Sequence, residues 1–242
     1  MHLFIDFGNT RLKWCLIKLD VVIGRGSITS IQIESKLRTF DWVSISSIAI
    51  CSVADSKMTQ NIFFSCKNLS RPDCEVKEVH LEHLPLWFSL GSTPKTEVGQ
   101  DRVMAMLGAY QDSSSYSVID AGTACTIDYV VDGEHKGGYI IPGLNTARIG
   151  LDKHAARIAL EEDYAYSKNL EPARSTQLCV EHGIRLSLIA AVQRAIHASP
   201  WPLDRVTVTG GDGEWLCGHL LGPVKLSHDL VFQGMRRFFY GL

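Results

Sequence analysis

Residues 5–10 read Ile-Asp-Phe-Gly-Asn-Thr, and residues 119–124 read Ile-Asp-Ala-Gly-Thr-Ala. The aspartate of the first stretch is residue 6 and that of the second is residue 120, which is close to half of the 242-residue chain. Each stretch follows a short apolar run and precedes a segment rich in β-forming residues. Its glycine suits a tight turn because glycine tolerates positive φ. The sequence therefore predicts that each half opens with a β-hairpin that carries an aspartate just before its turn.

The remainder of each half alternates between strand and helix patterns. The predicted strands are 47–53, 76–79, 126–131 and 205–209, and the predicted helices are 57–68, 99–111, 176–197 and 230–240. The Asp-Ser-Ser-Ser stretch at 112–115 reads as a linker. This alternation predicts two α/β domains of similar plan, 1–114 and 115–242.

The composition excludes several classes of protein. Hydrophobic residues make up 45% of the chain, and the net charge is -2 without a run of lysines and arginines, so non-specific nucleic-acid binding is not expected. No apolar stretch approaches the roughly 20 residues of a membrane span. Asp6 interrupts the first apolar run, so the start does not read as a signal peptide. Seven cysteines without a Cys-x-x-Cys pair indicate reduced thiols. We therefore expect a cytoplasmic protein that acts without nucleic acid or a membrane.

The repeated glycine turns are candidates for phosphate binding. A glycine turn between two strands presents backbone N–H groups that cradle phosphate oxygens, and a carboxylate beside each turn can hold Mg²⁺. A surface hairpin explains either copy alone equally well, and only the repeat at half-chain distance favours a metal–nucleotide site. The chain contains neither Gly-x-x-x-x-Gly-Lys-Ser/Thr nor Gly-x-Gly-x-x-Gly, which disfavours P-loop and dinucleotide folds.

Three further segments carry candidate chemistry. Residues 99–102, Gly-Gln-Asp-Arg, begin a predicted helix, where Asp101 is either a helix cap or a base beside an arginine anion site. The glycines of 137–143, Gly-Gly-Tyr-Ile-Ile-Pro-Gly, indicate close backbone packing, which is structural as readily as functional. Residues 209–213, Thr-Gly-Gly-Asp-Gly, follow a strand and open a helix, where the sugar or base of a nucleotide could approach.

Taken in order, these segments resemble the type III pantothenate kinases of the acetate and sugar kinase/Hsp70/actin superfamily. The matching positions are 6–10 with Lys13, 99–102, 120–126, 137–143, Ser175 and Thr176 with Gly183, 209–211 and 230–235. Any one match could be chance, but the ordered set is specific and covers nearly the whole chain. The resemblance implies an α/β protein with two similar ribonuclease H-like domains of the actin-like ATPase fold and an active-site cleft between them.

The resemblance also implies a function and the residues that serve it. The chain would phosphorylate pantothenate with ATP, the first step of coenzyme A biosynthesis, and would form a homodimer. Asp101 would be the catalytic base. Asp120 would bind a monovalent cation, K⁺ or NH₄⁺, and Asp6 would lie near Mg²⁺, directly or through water. The implied ATP-binding residues are Asp6, Phe7, Gly8, Asn9, Thr10, Arg11, Leu12, Lys13 and Thr123, and the implied substrate-binding residues are Gly99, Gln100, Asp101, Arg102 and Thr176.

The chain departs from the family pattern at one place. Family members usually carry a tyrosine about ten residues before the catalytic aspartate, and residues 90–98 contain no aromatic residue, so Trp87 or Phe88 is a candidate substitute. Five tryptophans and the apolar face of the 99–111 helix leave material for a subunit contact.

Two rival interpretations stay open. One is a non-catalytic regulator like the Bvg accessory factors, and the other is a kinase of the same superfamily with another acceptor, such as a sugar. The joint presence of Asp101, Arg102 and both turn aspartates argues against the regulator. Arg102 also suits an acceptor with a carboxylate better than a neutral sugar, because a guanidinium binds a carboxylate in bidentate fashion.

Overall fold

The structure of the chain is a computed structural model that describes residues 1–8, 10–111, 115–155 and 170–241. Most of the predicted linker, residues 112–114, lies outside these ranges. No helix within the described ranges combines the length and the apolar character that crossing a bilayer requires. The chain divides into two compact units, Met1–Tyr110 with Asp229–Leu242 (unit 1) and Gln111–His228 (unit 2).

Unit 1 is built on a five-stranded sheet in the order β3-β2-β1-β4-β5. The strands are β1 (His2–Phe7), β2 (Arg11–Lys18), β3 (Val21–Thr29), β4 (Ser47–Ser52) and β5 (Glu75–Glu78). The first three pair antiparallel, and β4 and β5 add to β1 in parallel. The helices are α1 (Ile33–Leu37), α2 (Ser56–Leu69), α3 (Gln100–Ala109) and the last helix of the chain, α7 (Leu230–Tyr240).

Unit 2 repeats this plan in the sheet order β10-β9-β6-β7-β8. Its strands are β6 (Tyr116–Ala121), β7 (Ala124–Val131), β8 (Glu134–Pro142), β9 (Arg205–Thr209) and β10 (Val224–Leu226). Its helices are α4 (Leu144–His154), α5 (Thr176–His197) and α6 (Gly213–Cys217). In both sheets a three-stranded antiparallel meander is extended by two parallel strands, so the predicted pair of similar α/β domains is confirmed.

Successive side chains of β1 point to opposite faces of the sheet, so the core residues lie on one face and Asp6 lies on the other. Leu3, Ile5 and Phe7 face a core formed with α1 and α2. Because successive residues of a strand face opposite sides, Asp6 lies on the other face of the sheet. Its register partner on β4 is Cys51, which shares that face. Helices α3 and α7 pack on each other and contact β4.

The C-terminal helix α7 belongs to unit 1 because its backbone lies almost directly against α3. A Cβ atom on Gly108 of α3 would lie 2.1 Å from the carbonyl oxygen of Leu230. A Cβ on Gly234 of α7 would lie 1.7 Å from that of Met104. The structure therefore groups α7 with the first half of the chain, whereas the division predicted from the sequence placed it in the domain 115–242.

Helix α3 is buried on all sides. Every residue from Val103 to Ala109 is buried within the chain, including residues that the helical periodicity predicted to face outwards. The apolar face of this helix is therefore not available for a subunit contact, contrary to the expectation from the sequence.

Candidate active site

The first hairpin places a buried carboxylate beside a loop of exposed backbone. Asp6 is the penultimate residue of β1 and is only 5% exposed. Its partner across the hairpin is Lys13, whose Nζ lies 3.9 Å from Asp6 Oδ2. The backbone N–H of Gly8 donates to Arg11 O at 3.0 Å and closes the turn. Asn9, which was predicted to bind ATP, lies outside the described residues.

Some of the remaining side chains of this hairpin are buried in the core, and others are exposed on the surface. The side chains of Phe7 and Leu12 are buried in the core of unit 1, so only their backbone atoms are available to a nucleotide. The guanidinium of Arg11 is held by β3, where its Nε donates to Ser27 Oγ at 2.7 Å. Thr10 is exposed at the turn. The sequence predicted a β-hairpin with a glycine turn here, but it did not distinguish these orientations of the side chains.

The start of α3 holds the candidate base in a defined orientation. Gly99 is the N-cap residue, and Asp101 lies in the first turn. The Oδ1 atom of Asp101 accepts a hydrogen bond from the backbone N–H of Arg102 at 2.8 Å. A Cβ atom on Gly99 would lie 2.5 Å from the same oxygen. The carboxylate in this orientation folds back over the helix start and leaves no room for a Cβ at residue 99, and Asp101 is not the N-cap residue.

Asp6 shares its face of the unit 1 sheet with Cys51, its register partner on β4. Burial raises the pKa of the Cys51 thiol well above its usual value, and the nearby carboxylates of Asp6, Asp101 and Glu78 raise it further. Asp101 lies on α3, which contacts β4, the strand that carries Cys51. A neutral, buried thiol is a suitable neighbour there, because a third charge would be costly in this environment.

The second hairpin has the same layout in unit 2 with a different cross-strand partner. Asp120 is the penultimate residue of β6, and the residue opposite it on β7 is Thr126, where Asp6 has a lysine. The backbone N–H of Gly122 donates to Ala124 O at 3.0 Å, and Thr123 is exposed at the turn. Thr123, which is predicted to contact ATP, and Asp120, which is predicted to bind the cation, therefore lie close together in unit 2.

Two glycine-rich segments pack closely around this second turn. A Cβ atom on Gly143 would lie 1.9 Å from Gly122 O. Gly210, whose φ is +95°, has space only for a hydrogen, since a Cβ there would lie 2.5 Å from Asp120 Oδ1. The segments 137–143 and 209–213 thus shape the surroundings of Asp120. The sequence left the first segment open between a structural and a functional role and predicted that a nucleotide could approach the second.

The carbonyl of Thr123 is already occupied by protein donors. It accepts hydrogen bonds from Gly143 N at 3.1 Å and from Thr146 Oγ1 at 2.5 Å. A carbonyl oxygen has two lone pairs, so this one has no remaining capacity for a cation. Any oxygen cage around Asp120 must use other atoms.

Asp212 is a second carboxylate of this region that the sequence analysis did not assign. Burial raises the pKa of the Asp212 carboxyl, and its backbone N–H donates to Ala121 O at 2.9 Å. Burial raises the pKa of the Cys125 thiol to about 12, and the charges of Asp120 and Asp212 both contribute. The sequence could have pointed to Asp212 only through the position of this residue in the glycine-rich turn after β9.

Thr176 occupies the exposed first turn of α5, directly after the N-cap residue Ser175. It lines a surface groove of about 650 Å³ in unit 2, together with Arg174, Ala147 and Gly183 among others. Gly99, Asp101 and Arg102 belong to unit 1, so a shared role of Thr176 with them in binding one substrate stays a prediction.

The structure places Trp87, one of the two candidate aromatic substitutes, away from the start of α3. Trp87 stacks on Tyr110 with ring centroids 4.1 Å apart, and Phe88 is buried. Tyr110 follows the last residue of α3, about 13 Å along the helix axis from Asp101 at the usual rise per residue. Trp87 therefore supports the far end of this helix.

The architecture and the paired hairpins define the class of protein. Two sheets of equal strand order, each with an aspartate before a glycine turn, are typical of the actin-like ATPase and sugar kinase fold. A solved chain from Sinorhizobium meliloti, named as a 2-dehydro-3-deoxygalactonokinase, matches with a TM-score of 0.56 and 14% identity over 100% of both chains. One from Campylobacter jejuni, named as a Baf family transcriptional activator, matches with a TM-score of 0.67 and 20% identity over 99% of this chain and 98% of that one. At these identities the likeness shows the fold alone.

Sequence comparison identifies the family within this class. The family model of type III pantothenate kinases matches residues 2–198. A type III pantothenate kinase from Acinetobacter baylyi is 32% identical over 244 aligned positions, which cover 98% of this chain and 97% of the relative. The chain belongs to the type III pantothenate kinase family, as its ordered motifs indicated.

Proposed function

We propose that this chain transfers the γ-phosphoryl group of ATP to the primary hydroxyl of pantothenate and so begins coenzyme A biosynthesis. Family membership supports the reaction, and one geometric observation carries the assignment of roles. Strand β4 pairs with β1, which carries Asp6, and contacts α3, which carries Asp101, so a metal-side carboxylate and a candidate base occur together in unit 1. A non-catalytic regulator would have no need for this arrangement.

Asp101 is the proposed general base. Its carboxylate is held at the start of α3 by the N–H of Arg102 and takes the proton of the attacking hydroxyl. Arg102 and the backbone of Gly99 and Gln100 are proposed to bind the pantothenate carboxylate, for which a guanidinium has the right planar geometry. Positioning and charge neutralisation account for most of the acceleration in phosphoryl transfer.

The residues of the first hairpin fit a magnesium–nucleotide complex. The carboxylate oxygens of Asp6 are ligands of the kind that Mg²⁺ prefers. Lys13, directly across the hairpin from Asp6, offers a positive charge for phosphate oxygens. When bound, Mg²⁺ neutralises charge on the β- and γ-phosphates. The role of the protein is to orient the nucleotide through Asp6, Lys13 and the backbone N–H groups of the turn.

We further propose that Asp120 holds K⁺ or NH₄⁺. The family resemblance supports this role, and the neighbouring charge of a polyphosphate supports a need for a cation. Two like charges about 4 Å apart repel by about 4 kcal/mol at an effective dielectric constant of 20. We expect low activity in Na⁺ or Tris buffer and recovery when K⁺ or NH₄⁺ is added. Asp120→Ala should lose that stimulation. If wild-type enzyme is equally fast in buffer free of both ions, the cation assignment is wrong while the kinase assignment can stand.

The central test is a coupled assay of ADP release with pantothenate, pantetheine and a hexose as alternative acceptors. We expect turnover with pantothenate and little with the hexose. Asp101→Asn keeps the shape of the side chain and removes its basicity, so kcat should fall by about 10² to 10⁴ while the Kd for ATP stays nearly constant. More than a tenth of wild-type kcat in this variant would contradict the assignment of the base.

The state of assembly and the compartment are also proposals. The family resemblance supports a homodimer, and ATP as co-substrate supports action in the cytoplasm. Sedimentation should detect a species larger than the 26.8 kDa of one chain at micromolar concentration. A stable and fully active species of 26.8 kDa would contradict an obligate dimer.

A further inference from the structure

The last residue of β4 has a backbone donor that the sheet does not satisfy. Strand β5 pairs with β4 only as far as Ile50, whose carbonyl accepts a hydrogen bond from Val79 N at 2.8 Å. N–H groups of alternate residues face the same neighbouring strand, so the N–H of Ser52 points to where β5 no longer continues. The side chain of Gln100 supplies the missing acceptor, since its Oε1 lies 3.3 Å from Ser52 N.

The other groups of Ser52 reach the hairpin of residues 6–13, which we call the first phosphate loop. Its hydroxyl donates to Phe7 O at 3.4 Å and lies 2.7 Å from the hydroxyl oxygen of Thr59. The next residue, Val53, donates its backbone N–H to the same Phe7 carbonyl at 3.1 Å. Ser52 therefore connects Phe7, which follows Asp6, to Gln100, which precedes Asp101.

We propose that Gln100 is a positioning residue for phosphoryl transfer. Its bond to Ser52, which we call the Ser52–Gln100 brace, fixes the first turn of α3 relative to the first phosphate loop and so sets where the Asp101 carboxylate lies. The side chain of Gln100 is directed at β4, so its contact with the acceptor is through its backbone. The proposal rests on the proposed function, because a fixed distance from Asp101 to the loop matters only if Asp101 acts on an acceptor there. Displacements of about 1 Å in such geometry cost roughly 10²-fold in rate.

The first test is Gln100→Met, which keeps the length of the side chain and removes the acceptor. We expect kcat with pantothenate to fall about tenfold, which corresponds to the loss of one hydrogen bond. The KM values for ATP and pantothenate should stay within about twofold, since the lost bond touches neither substrate. Hydrogen exchange at the Ser52 amide should become faster in the absence of any ligand.

Gln193→Met is the matched control. Gln193 Oε1 accepts a hydrogen bond from Leu221 N at 2.7 Å, which is the same kind of bond in unit 2, and its Nε2 also donates to Leu221 O at 3.3 Å. This control should lose at least as much thermal stability as Gln100→Met, because more than one hydrogen bond is removed, without a change in kcat. A second pair tests the brace from its other end: Thr59→Val removes the hydroxyl beside Ser52 Oγ and should lower kcat, whereas Thr59→Ser should retain it.

The outcomes separate the competing interpretations. The proposal is overturned if Gln100→Met keeps kcat within twofold, or if it raises only the KM for pantothenate, as a direct substrate contact would. It is also overturned if both methionine variants change stability and kcat alike. If the wild-type chain does not phosphorylate pantothenate, the proposed function is wrong, while the exchange of the Ser52 amide in Gln100→Met still decides whether the brace exists.

Discussion

Replacing Gly99 with alanine is a sharp test of the geometry at the start of α3. The backbone of Gly99 has φ -60° and ψ 136°, which alanine adopts without strain, so the fold should tolerate the change. The new Cβ would lie 2.5 Å from Asp101 Oδ1, whereas carbon and oxygen normally approach to about 3.3 Å. The carboxylate must therefore move by about 0.8 Å. Moving the end of one side chain costs little stability, but such a displacement of a reacting group should lower kcat on the order of 10²-fold.

The measurement is steady-state ADP release together with the Kd for ATP and thermal unfolding. We expect Gly99→Ala to have a strongly reduced kcat, a nearly unchanged Kd for ATP and a nearly unchanged Tm. Gly150→Ala is the control, because Gly150 lies within α4 and a Cβ there meets no atom within 4 Å. It should be slightly more stable, by about 0.5 to 1 kcal/mol, with normal kcat. If Gly99→Ala keeps more than about a third of wild-type kcat, the observed orientation of Asp101 is not the one that the reaction uses.

Three further predictions follow from the packing and the charges. Arg102→Lys should raise the KM for pantothenate more than that for ATP, because lysine lacks the planar fork; equal changes would point to a role in folding. Gly234→Ala should lower the free energy of unfolding by at least about 2 kcal/mol in urea titrations, since its Cβ would lie 1.7 Å from a carbonyl oxygen of α3; an unchanged midpoint would contradict the close approach of α7. Burial raises the pKa of Cys66 and of Cys125 to about 12, so these thiols stay protonated in the folded state while unfolded thiols ionise near pH 9. Stability should therefore fall as pH rises above about 9, and a thiol reagent at pH 8 should modify the exposed Cys179 long before these two.

The sequence predicted correctly those helices and strands that depend on the periodicity and propensity of their own residues. The helices at 176–197 and 230–240 and the strand at 205–209 agree with α5, α7 and β9 to the residue. Strand β3 was missed, because its glycines at 24 and 26 lower its strand propensity. The structure explains these glycines, since a Cβ on Gly26 would lie 2.9 Å from the indole nitrogen of Trp14. Such a reason depends on tertiary contact and is not visible in a sequence pattern.

Some residues of the candidate site could likewise be predicted from local patterns, whereas others depend on tertiary contacts. The hairpin aspartates follow from a repeated pattern, and the segment 99–102 follows from its position at a helix start. The resemblance implied that all residues from 6 to 13 bind ATP, but a contiguous segment of strand alternates between faces, so Phe7 and Leu12 point into the core. The contact between Ser52 and Gln100 could not be foreseen, because it depends on where β5 leaves the sheet and on the side chain of a distant helix.

The packing of α7 in unit 1 has a consequence for the synthesis of the chain on the ribosome. Arg237 donates to Leu107 O, a contact between residues 130 positions apart. All of unit 2 is translated between these two helices, which takes on the order of ten seconds at roughly 5 to 20 residues per second. During that interval α3 has left the ribosome without the helix that covers Gly108, so its buried methionines remain open to chaperones and to aggregation. Helix α7 thus completes the packing around α3, and we expect a premature stop before residue 234 to lower solubility and, with it, activity.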